Sequence, residues 1–203
     1  DGTLQRSAFM YPSLLNMFLS ATYLYKCFPR SRFFGREMMT WYDFNDVKEV
    51  EAVRGCFALV RRKAFGQIGL MDDVYFVYGD DIDWCYRFRK AGWKIMFTPV
   101  PEIIHYGGQT TTKMPSEFAF QLFGSKLLFL KIHRNKFEFL LARFLIALYM
   151  LMRIPYWIAK AIFSTSERKW SMQRLKIYSL GSFYSLTDWK KLLMNKDVVG
   201  GDL

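Results

Sequence analysis

Hydrophobic positions recur at helical spacing near the start of the chain, and a shorter apolar run follows further along. Residues 13–28 place apolar side chains three and four residues apart, which predicts a helix that stops at Pro29. Residues 53–60 have the pattern of a buried strand, and residues 61–69 that of a short helix closed by a glycine. This order indicates a strand-to-helix step of an α/β domain.

The next stretch predicts one helix and two short strands. Asp80 is placed to cap a helix that runs to Ala91, with Gly92 at its C-terminal end. Residues 94–98 and 102–106 alternate around prolines as short strands do. The first half of the chain is therefore expected to form an α/β core.

The pattern changes after Met114, where it becomes helical and more apolar. One helix is predicted to end near Arg134 and another to begin at Lys136. This shift predicts two regions: an α/β domain over residues 1–112 and a helical, membrane-associated tail over residues 113–203.

The most apolar part of the tail is residues 137–163, which is long enough to span a bilayer, since about 20 apolar residues suffice. It also contains charged residues and Pro155. At 100° per residue, the charged residues fall within an arc of roughly 160°, as in a helix lying in the membrane interface: Glu138, Arg143, Arg153 and Lys160. An in-plane membrane helix kinked at Pro155 is preferred, and a transmembrane helix or a helix packed on other parts of the protein are the alternatives.

Composition and charge narrow the class of protein. Hydrophobic residues make up 52% of the chain, which excludes a disordered protein. The net charge of +11 is concentrated in the second half, where 15 Lys and Arg face 7 acidic residues in positions 101–203. A nucleic acid, an anionic bilayer or a phosphorylated substrate would each complement this charge. Nucleic acid is disfavoured, because the cations alternate with long apolar runs and no recognition motif is present.

Three cysteines with no C-x-x-C spacing indicate neither a disulfide framework nor a zinc site, so they are interpreted as reduced thiols in a cytosolic setting. The chain begins at Asp1 with no leader pattern, and its natural start is expected to lie upstream. The basic stretch 167–176 includes Trp170, which suits anionic headgroups, although a solvated basic face has the same composition.

Three carboxylates gather at one predicted helix N-terminus: Asp80, Asp81 and Asp83. The helix dipole favours negative charge there, which keeps at least one of them ionised and able to accept a proton. A purely structural role is the alternative, with Asp80 as a cap and Asp83 paired with Arg87 four residues later.

His105 follows a predicted strand and precedes two glycines that allow a sharp turn. An isolated histidine of this kind serves either as a structural hydrogen-bonding group or as a metal ligand.

Several segments, taken in order, resemble the C-terminal half of family 2 glycosyltransferases, and more narrowly the rhamnosyltransferase-like branch. The resemblance covers about residues 1–112, and no single segment carries it alone. The matching segments are DGTLQ (1–5), GCFALVRR (55–62), GLMDD (69–73), YFVYGDDIDWCYRFRKAG (75–92) and PVPEIIHYGGQ (99–109).

The resemblance implies a partial GT-A fold, which is Rossmann-like, and an inverting transferase that uses a nucleotide-diphosphate sugar. Asp81 takes the position of the family's general base. Asp80 stands where the family usually has glutamate, and with Asp83 and Trp84 it is expected to shape the acceptor site.

The same resemblance assigns His105 as a ligand of a divalent cation, Mg²⁺ or Mn²⁺, together with a D-x-D motif. That motif and the nucleotide-binding units are absent from these residues, so the chain alone is expected to be an inactive part of a longer enzyme. The Q-x-x-R-W signature of processive synthases is also absent, which favours single additions.

The leading hypothesis is an inverting glycosyltransferase that moves a sugar, with rhamnose from its dTDP form as a candidate, to a lipid-linked or polysaccharide acceptor. Its site would lie on the cytoplasmic face of the cell membrane, in cell-surface polysaccharide biosynthesis. A non-catalytic membrane-surface scaffold and a nucleic-acid-binding protein are the alternative hypotheses.

Overall fold

The computed structural model describes residues 2–107 and 120–193. The chain divides into two compact units, Asp1–Gln109 and Thr110–Leu203. The domain boundary predicted between residues 112 and 113 lies outside the described residues, and the assignment of the two regions stays a prediction.

The first unit mixes short strands and helices. Its strands form two antiparallel pairs, Ala8–Phe9 with Ala52–Val53 and Lys48–Val50 with Ile95–Phe97. The elements are β1 (Ala8–Phe9), α1 (Leu14–Ala21), α2 (Leu24–Cys27), β2 (Lys48–Val50), β3 (Ala52–Val53), α3 (Arg62–Ile68), α4 (Asp80–Lys90) and β4 (Ile95–Phe97). The expected α/β mixture is confirmed, but within the described residues the pairs are antiparallel and no parallel GT-A sheet is formed.

An aromatic and aliphatic core holds the β2–β4 pair against the preceding loop. Its buried members are Ala8, Met39, Tyr42, Phe44 and Val50. The ring of Phe97 from β4 meets the rings of Tyr42 and Phe44 edge-on, with centroids 5.8 and 5.0 Å apart. Edge-to-face contacts of this kind add to the gain from burial.

The helix predicted over residues 13–28 is divided in two. Ser13 caps its start, since the Ser13 hydroxyl oxygen accepts from the N–H of Asn16. The hydroxyl of Thr22 donates to the Leu19 carbonyl, and Tyr23 takes a left-handed backbone with φ of 56°. A single helix was therefore the wrong prediction, because a left-handed residue separates α1 from α2.

Glycines end both helices of the predicted strand-to-helix region, as the sequence indicated. Gly69 follows α3 with φ of 81°, and Gly92 follows α4 with φ of 88°. At α4 the Gly92 N–H donates to the Arg89 carbonyl and the Trp93 N–H to the Phe88 carbonyl. These two bonds form a Schellman motif, which satisfies carbonyls left open at the helix end.

The predicted cap at the start of α4 is wrong. Gly79 is the N-cap, with φ of 91°, and Asp80 is the first residue of the helix. Glycine adopts this left-handed backbone without steric cost, so the chain enters the helix one residue earlier than a capping aspartate would require.

Of the remaining predicted strands, only 94–98 is confirmed, as β4. The strand predicted over 53–60 is wrong beyond Val53, because the chain turns at Gly55 and leaves Phe57 and Leu59 exposed. Residues 102–106 form no regular element, so that strand is also wrong.

The second unit is helical in its described part. Its elements are α5 (Gln121–His133), α6 (Lys136–Leu151), α7 (Ile154–Phe163), α8 (Arg168–Leu186) and a 3₁₀ turn (Trp189–Leu192). Helix α8 packs against both α6 and α7. Small buried residues make this approach possible, and a Cβ at Gly181 would collide with the sulfur of Met150.

Residues 137–163 do not form one helix kinked at Pro155. The break comes earlier, at Met152 and Arg153, and Pro155 is the second residue of α7. Proline is favoured in the first turn of a helix, where no intrahelical N–H partner is lost.

The charged residues of this segment have partners inside the second unit. The Arg143 guanidinium donates to the carbonyls of Ser185 and Leu186 at the end of α8. Lys160 pairs with Glu167. The predicted arc is thus not a continuous exposed polar face. In the part of the chain that the structure describes, no helix has the length and apolar character needed to cross a membrane.

Candidate functional site

The first turn of α4 brings together four of the five residues singled out by the sequence. Asp80, Asp81 and Asp83 lie in its first turn, and Trp84 follows directly. The N–H groups of a helix's first turn have no intrahelical partners, so this end attracts negative charge. The three side chains nevertheless have different surroundings.

Asp81 is partly exposed and is held through both carboxylate oxygens. The backbone N–H of Gly55 donates to its Oδ2 at 3.0 Å, and the N–H of Ile82 to its Oδ1 at 2.8 Å. Two hydrogen bonds of this kind fix the direction of the carboxylate. A fixed, partly exposed carboxylate is suited to accept a proton from a bound hydroxyl.

Asp80 is half-buried, and its carboxylate accepts hydrogen bonds from the backbone of Asp80 and Asp81 at the helix start. Burial raises the pKa of Asp80, and the adjacent Asp81 charge raises it further. Two neighbouring carboxylates disfavour simultaneous ionisation. Asp80 is therefore harder to ionise than an ordinary aspartate.

Asp83 is buried, with 1% of its surface exposed, and forms an ion pair within α4. Its Oδ2 accepts from Nε of Arg87 at 2.7 Å, and the hydroxyl of Tyr75 lies 3.5 Å from its Oδ1. Burial raises the pKa of Tyr75, and the Asp83 charge adds to the effect. The pairing with Arg87 suggested by the sequence is present, and it gives Asp83 a structural role whether or not it contacts an acceptor.

Trp84 and Arg87 hold the loop between α3 and α4. Nε1 of Trp84 donates to the Gly69 carbonyl at 2.9 Å, while Arg87 donates to the carbonyls of Ile68 and Leu70. The Trp84 ring also packs against aromatic residues on α3 and α4. The indole is therefore an anchor of this loop, and the Trp84 side chain that is expected to shape the acceptor site is only partly exposed.

His105 lies apart from the helix in sequence and contacts the start of the chain. Its Nδ1 is 2.6 Å from Oε1 of Gln5. An amide oxygen accepts, so this contact fits the tautomer in which Nδ1 donates to Gln5 and Nε2 is the ring nitrogen available to a ligand. The Gly107 N–H turns back to the His105 carbonyl at 2.9 Å. A histidine oriented in this way is prepared to offer Nε2 as a ligand.

The β1–β3 pair links these two parts of the site. Because the strands run antiparallel, residues that precede β1 and residues that follow β3 lie at the same end of the pair. Gln5, the partner of His105, precedes β1, and Gly55, the partner of Asp81, follows β3. The N–H of Arg54 continues the pairing with a bond to a carbonyl just before β1. The anchors of Asp81 and His105 therefore share one end of this strand pair.

The described residues do not fit a complete divalent-cation site. Among residues 2–107 and 120–193 no group of three His, Cys, Asp or Glu side chains is arranged to hold a metal ion. Divalent cations such as Mg²⁺ need several oxygen ligands. His105 offers one nitrogen, and any further ligands would have to come from elsewhere.

Two residues of this site were not assigned by the sequence: Gly55 and Gln5. Both belong to segments that carry the family resemblance, but their roles depend on contacts 26 and 100 residues away along the chain. A Cβ at Gly55 would lie 3.4 Å from the Cβ of Asp81. The only local signal was that Gly55 is a glycine in the segment that leads to the basic pair Arg61 and Arg62.

Comparison with known protein families matches residues 13–123 to the model described as glycosyltransferase like family 2. The match covers more than half of the chain and includes the first turn of α4 and His105. The chain belongs to this family.

Individual relatives of this family-2 chain are similar over shorter stretches. The chain is 42% identical over 62 residues to N-acetylglucosaminyl-diphospho-decaprenol L-rhamnosyltransferase of Mycobacterium tuberculosis, which is 30% of this chain and 20% of the relative. It is 39% identical over 57 residues to rhamnosyltransferase WbbL of Escherichia coli K12, 28% of this chain and 22% of the relative.

A third relative is the low-salt glycan biosynthesis hexosyltransferase Agl10 of Haloferax volcanii, 27% identical over 74 residues, 36% of this chain and 24% of the relative. The matches thus span about a fifth to a quarter of the length of these curated relatives. No solved structure matches the chain.

Proposed function

We propose that this family-2 chain is the acceptor-side part of an inverting glycosyltransferase. It moves a sugar, with rhamnose as the first candidate, from a nucleotide-diphosphate donor to a lipid-linked or polysaccharide acceptor. The observation that carries the proposal is the fixed, partly exposed Asp81 at the start of α4, inside the region matched to the family. Two similar relatives are rhamnosyltransferases, and one is named for a lipid diphosphate acceptor.

The proposed chemistry is a single displacement. Asp81 takes the proton from the acceptor hydroxyl while that oxygen forms a bond to the anomeric carbon. The bond from the anomeric carbon to the nucleoside diphosphate breaks on the opposite face, which inverts the configuration. One base is sufficient for this step, and general-base catalysis contributes about 10²- to 10⁴-fold to such rates.

The neighbouring residues have supporting roles in the proposal. Asp80 and Trp84 border the acceptor beside Asp81, and Asp80 hydrogen-bonds a sugar hydroxyl in whichever protonation state it holds. Asp83 fixes the helix turn through its ion pair with Arg87 and, by way of Arg87, the loop at Ile68. In this proposal Asp83 is a positioning residue, and its predicted contact with the acceptor stays a prediction.

A divalent cation, Mg²⁺ or Mn²⁺, belongs to the proposal through His105. When bound, such an ion would neutralise charge on the leaving diphosphate. Because the described residues supply His105 alone, the other ligands would come from parts of a longer enzyme that this chain does not include. The relatives' greater length supports the view that the donor site lies there.

The test is the stereochemistry of the product formed by the complete enzyme that contains this chain. The enzyme is supplied with dTDP-rhamnose and a lipid-linked acceptor, and the new linkage is assigned by NMR. Inversion at the anomeric carbon, with release of one nucleoside diphosphate per linkage, is expected. Retained configuration would contradict a mechanism with one base, and absence of transfer from any nucleotide sugar would contradict the function.

A further inference from the structure

Helix α6 is apolar on two opposite sides. Its inner side carries buried residues of the second unit, including Ala142, Ile146 and Met150. Its outer side carries five large apolar residues that are between 43% and 73% exposed: Phe137, Leu140, Phe144, Leu148 and Leu151. We refer to these five residues as the outer face of α6.

The outer face is a single stripe along the helix. At 100° per residue its five members fall within roughly 80° of one another, on the side away from Ala142, Ile146 and Met150. From Phe137 to Leu151 the stripe is about 21 Å long. Isolated exposed apolar residues need no explanation, but a continuous stripe of this length marks an interaction surface.

The charge of the second unit indicates what that surface meets. Residues 120–193 contain 13 Lys and Arg but only 3 acidic residues. Most of these cations are exposed, among them Lys136 directly beside the outer face. A matching partner offers an apolar layer to the outer face and negative charges to the surrounding cations. A bilayer with anionic headgroups has both properties.

An aromatic and cationic cluster on α7 and α8 fits the same partner. The rings of Trp157 and Trp170 meet edge-on at 4.7 Å, and the guanidinium of Arg174 lies 4.7 Å from the centre of the Trp170 ring. Trp170 is 45% exposed. Indole rings accompanied by cations are favoured at the headgroup level of membranes.

We propose that the outer face of α6 inserts in plane into the headgroup and upper acyl layer of an anionic bilayer. The helix has 16 residues and is about 24 Å long, less than the roughly 30 Å of a hydrocarbon core. The proposal assigns the membrane contact to one helix face rather than to the whole 137–163 segment, and it does not depend on the sugar-transfer chemistry.

The experiment is flotation of the full chain with vesicles. One set contains phosphatidylcholine with about 30% phosphatidylglycerol, and the other contains phosphatidylcholine alone. The test variant combines Phe144→Glu and Leu148→Glu, which place two charges on the outer face. The control is Met172→Glu, because Met172 is 57% exposed, like Phe144 at 56%, but lies on α8. Circular dichroism checks that each variant is folded. A milder Phe144→Ser variant tests the same face with a smaller change.

The wild-type chain and the Met172→Glu control are expected to float with the anionic vesicles, and less with neutral ones. The double variant should lose at least about tenfold in partitioning, and Phe144→Ser a smaller part. Equal flotation of the folded double variant would overturn the proposal, as would a wild-type chain that ignores anionic vesicles.

Self-association of the chain through the outer face, without vesicle binding, would also overturn the proposal. If the wild-type chain is dimeric in buffer, the double variant is monomeric, and neither floats, the outer face binds a second copy of the chain. Sugar transfer to a soluble acceptor is measured separately with the complete enzyme. A failure of vesicle binding is thereby distinguished from a failure of the proposed function.

Discussion

The backbone N–H of Gly55 donates a 3.0 Å hydrogen bond to Oδ2 of Asp81. This bond joins the turn after β3 to the first turn of α4, and it orients the carboxylate proposed as the base. A side chain at position 55 would point toward Asp81, since its Cβ would lie 3.4 Å from the Cβ of Asp81 and 3.6 Å from the terminal methyl of Met71.

The effect of a substitution at Gly55 is therefore expected to depend on the size of the new side chain. Gly55→Ala keeps the N–H donor and adds a methyl group at a tight but tolerable distance, so activity of the complete enzyme should fall only a few-fold. Gly55→Leu must displace Asp81 or Met71 and should lower kcat by about 10²-fold, the scale of a misplaced catalytic group. Steady-state kinetics at saturating donor measure both. Equal activity of the two variants would show that the Gly55 turn does not position Asp81.

The Asp83–Arg87 pair is expected to stabilise the fold. Asp83→Ala leaves the Arg87 charge without its buried partner and should lower the free energy of unfolding by about 3 kcal/mol. Urea denaturation measures the change. Glu49→Gln is the control, because the pairs of Glu49 with Arg89 and Lys94 are more exposed than the Asp83–Arg87 pair and should contribute less than about 1 kcal/mol. Equal losses in the two variants would contradict a buried, structural role for Asp83.

Trp84 is expected to contribute to stability through its indole N–H. Trp84→Phe keeps an aromatic ring but removes the donor to the Gly69 carbonyl, so the free energy of unfolding should fall by about 1 kcal/mol. Trp93→Phe is a matched control, because the Trp93 N–H bonds only to the exposed Gln67 side chain. If Trp84→Phe changed the acceptor KM and left thermal unfolding at the wild-type temperature, the loop-anchor role would be wrong.

Asp80 is expected to make stability depend on pH. Its pKa is raised in the folded state, mainly by burial. The folded chain then holds this proton more tightly than the unfolded chain, so the favourable contribution is present below the ordinary Asp pKa and is lost as pH rises through the raised value. At neutral pH, ionised Asp80 opposes folding.

Replacing Asp80 with asparagine should therefore stabilise the chain at pH 7, and the gain should disappear on acidification toward pH 3. Thermal unfolding across this range gives the comparison, with the exposed Asp46→Asn as control. A gain of the same size at every pH would mean that the benefit comes from packing and not from removal of a buried charge.

Helix ends were the part of the fold most readable from the sequence. Gly69 and Gly92 end α3 and α4 because glycine adopts positive φ values at little cost. A signal of this kind depends only on a few neighbouring residues, so it can be recognised in the sequence. The same reasoning misplaced the start of α4, because Gly79 is the N-cap and Asp80 is already the first residue of the helix.

The errors arose where tertiary contacts override local pattern. The apolar run 53–60 resembles a strand, but the turn at Gly55 serves Asp81, 26 residues further on. Arg143 was read as part of an exposed polar face, although it binds the carbonyl end of α8, more than 40 residues away. The site was found through residues adjacent on one helix, whereas the bond between Gln5 and His105 had no sequence signal.

The most direct test of the account is the turnover of the complete enzyme with Asp81→Asn. Asparagine keeps the shape and accepts the Gly55 hydrogen bond through its amide oxygen, but it loses the bond from the Ile82 N–H and cannot take a proton. The account predicts that kcat falls by about 10²- to 10⁴-fold while donor binding and the unfolding temperature stay close to wild type, with Asp46→Asn fully active. A folded Asp81→Asn enzyme with wild-type kcat would contradict the assignment of Asp81 as the base.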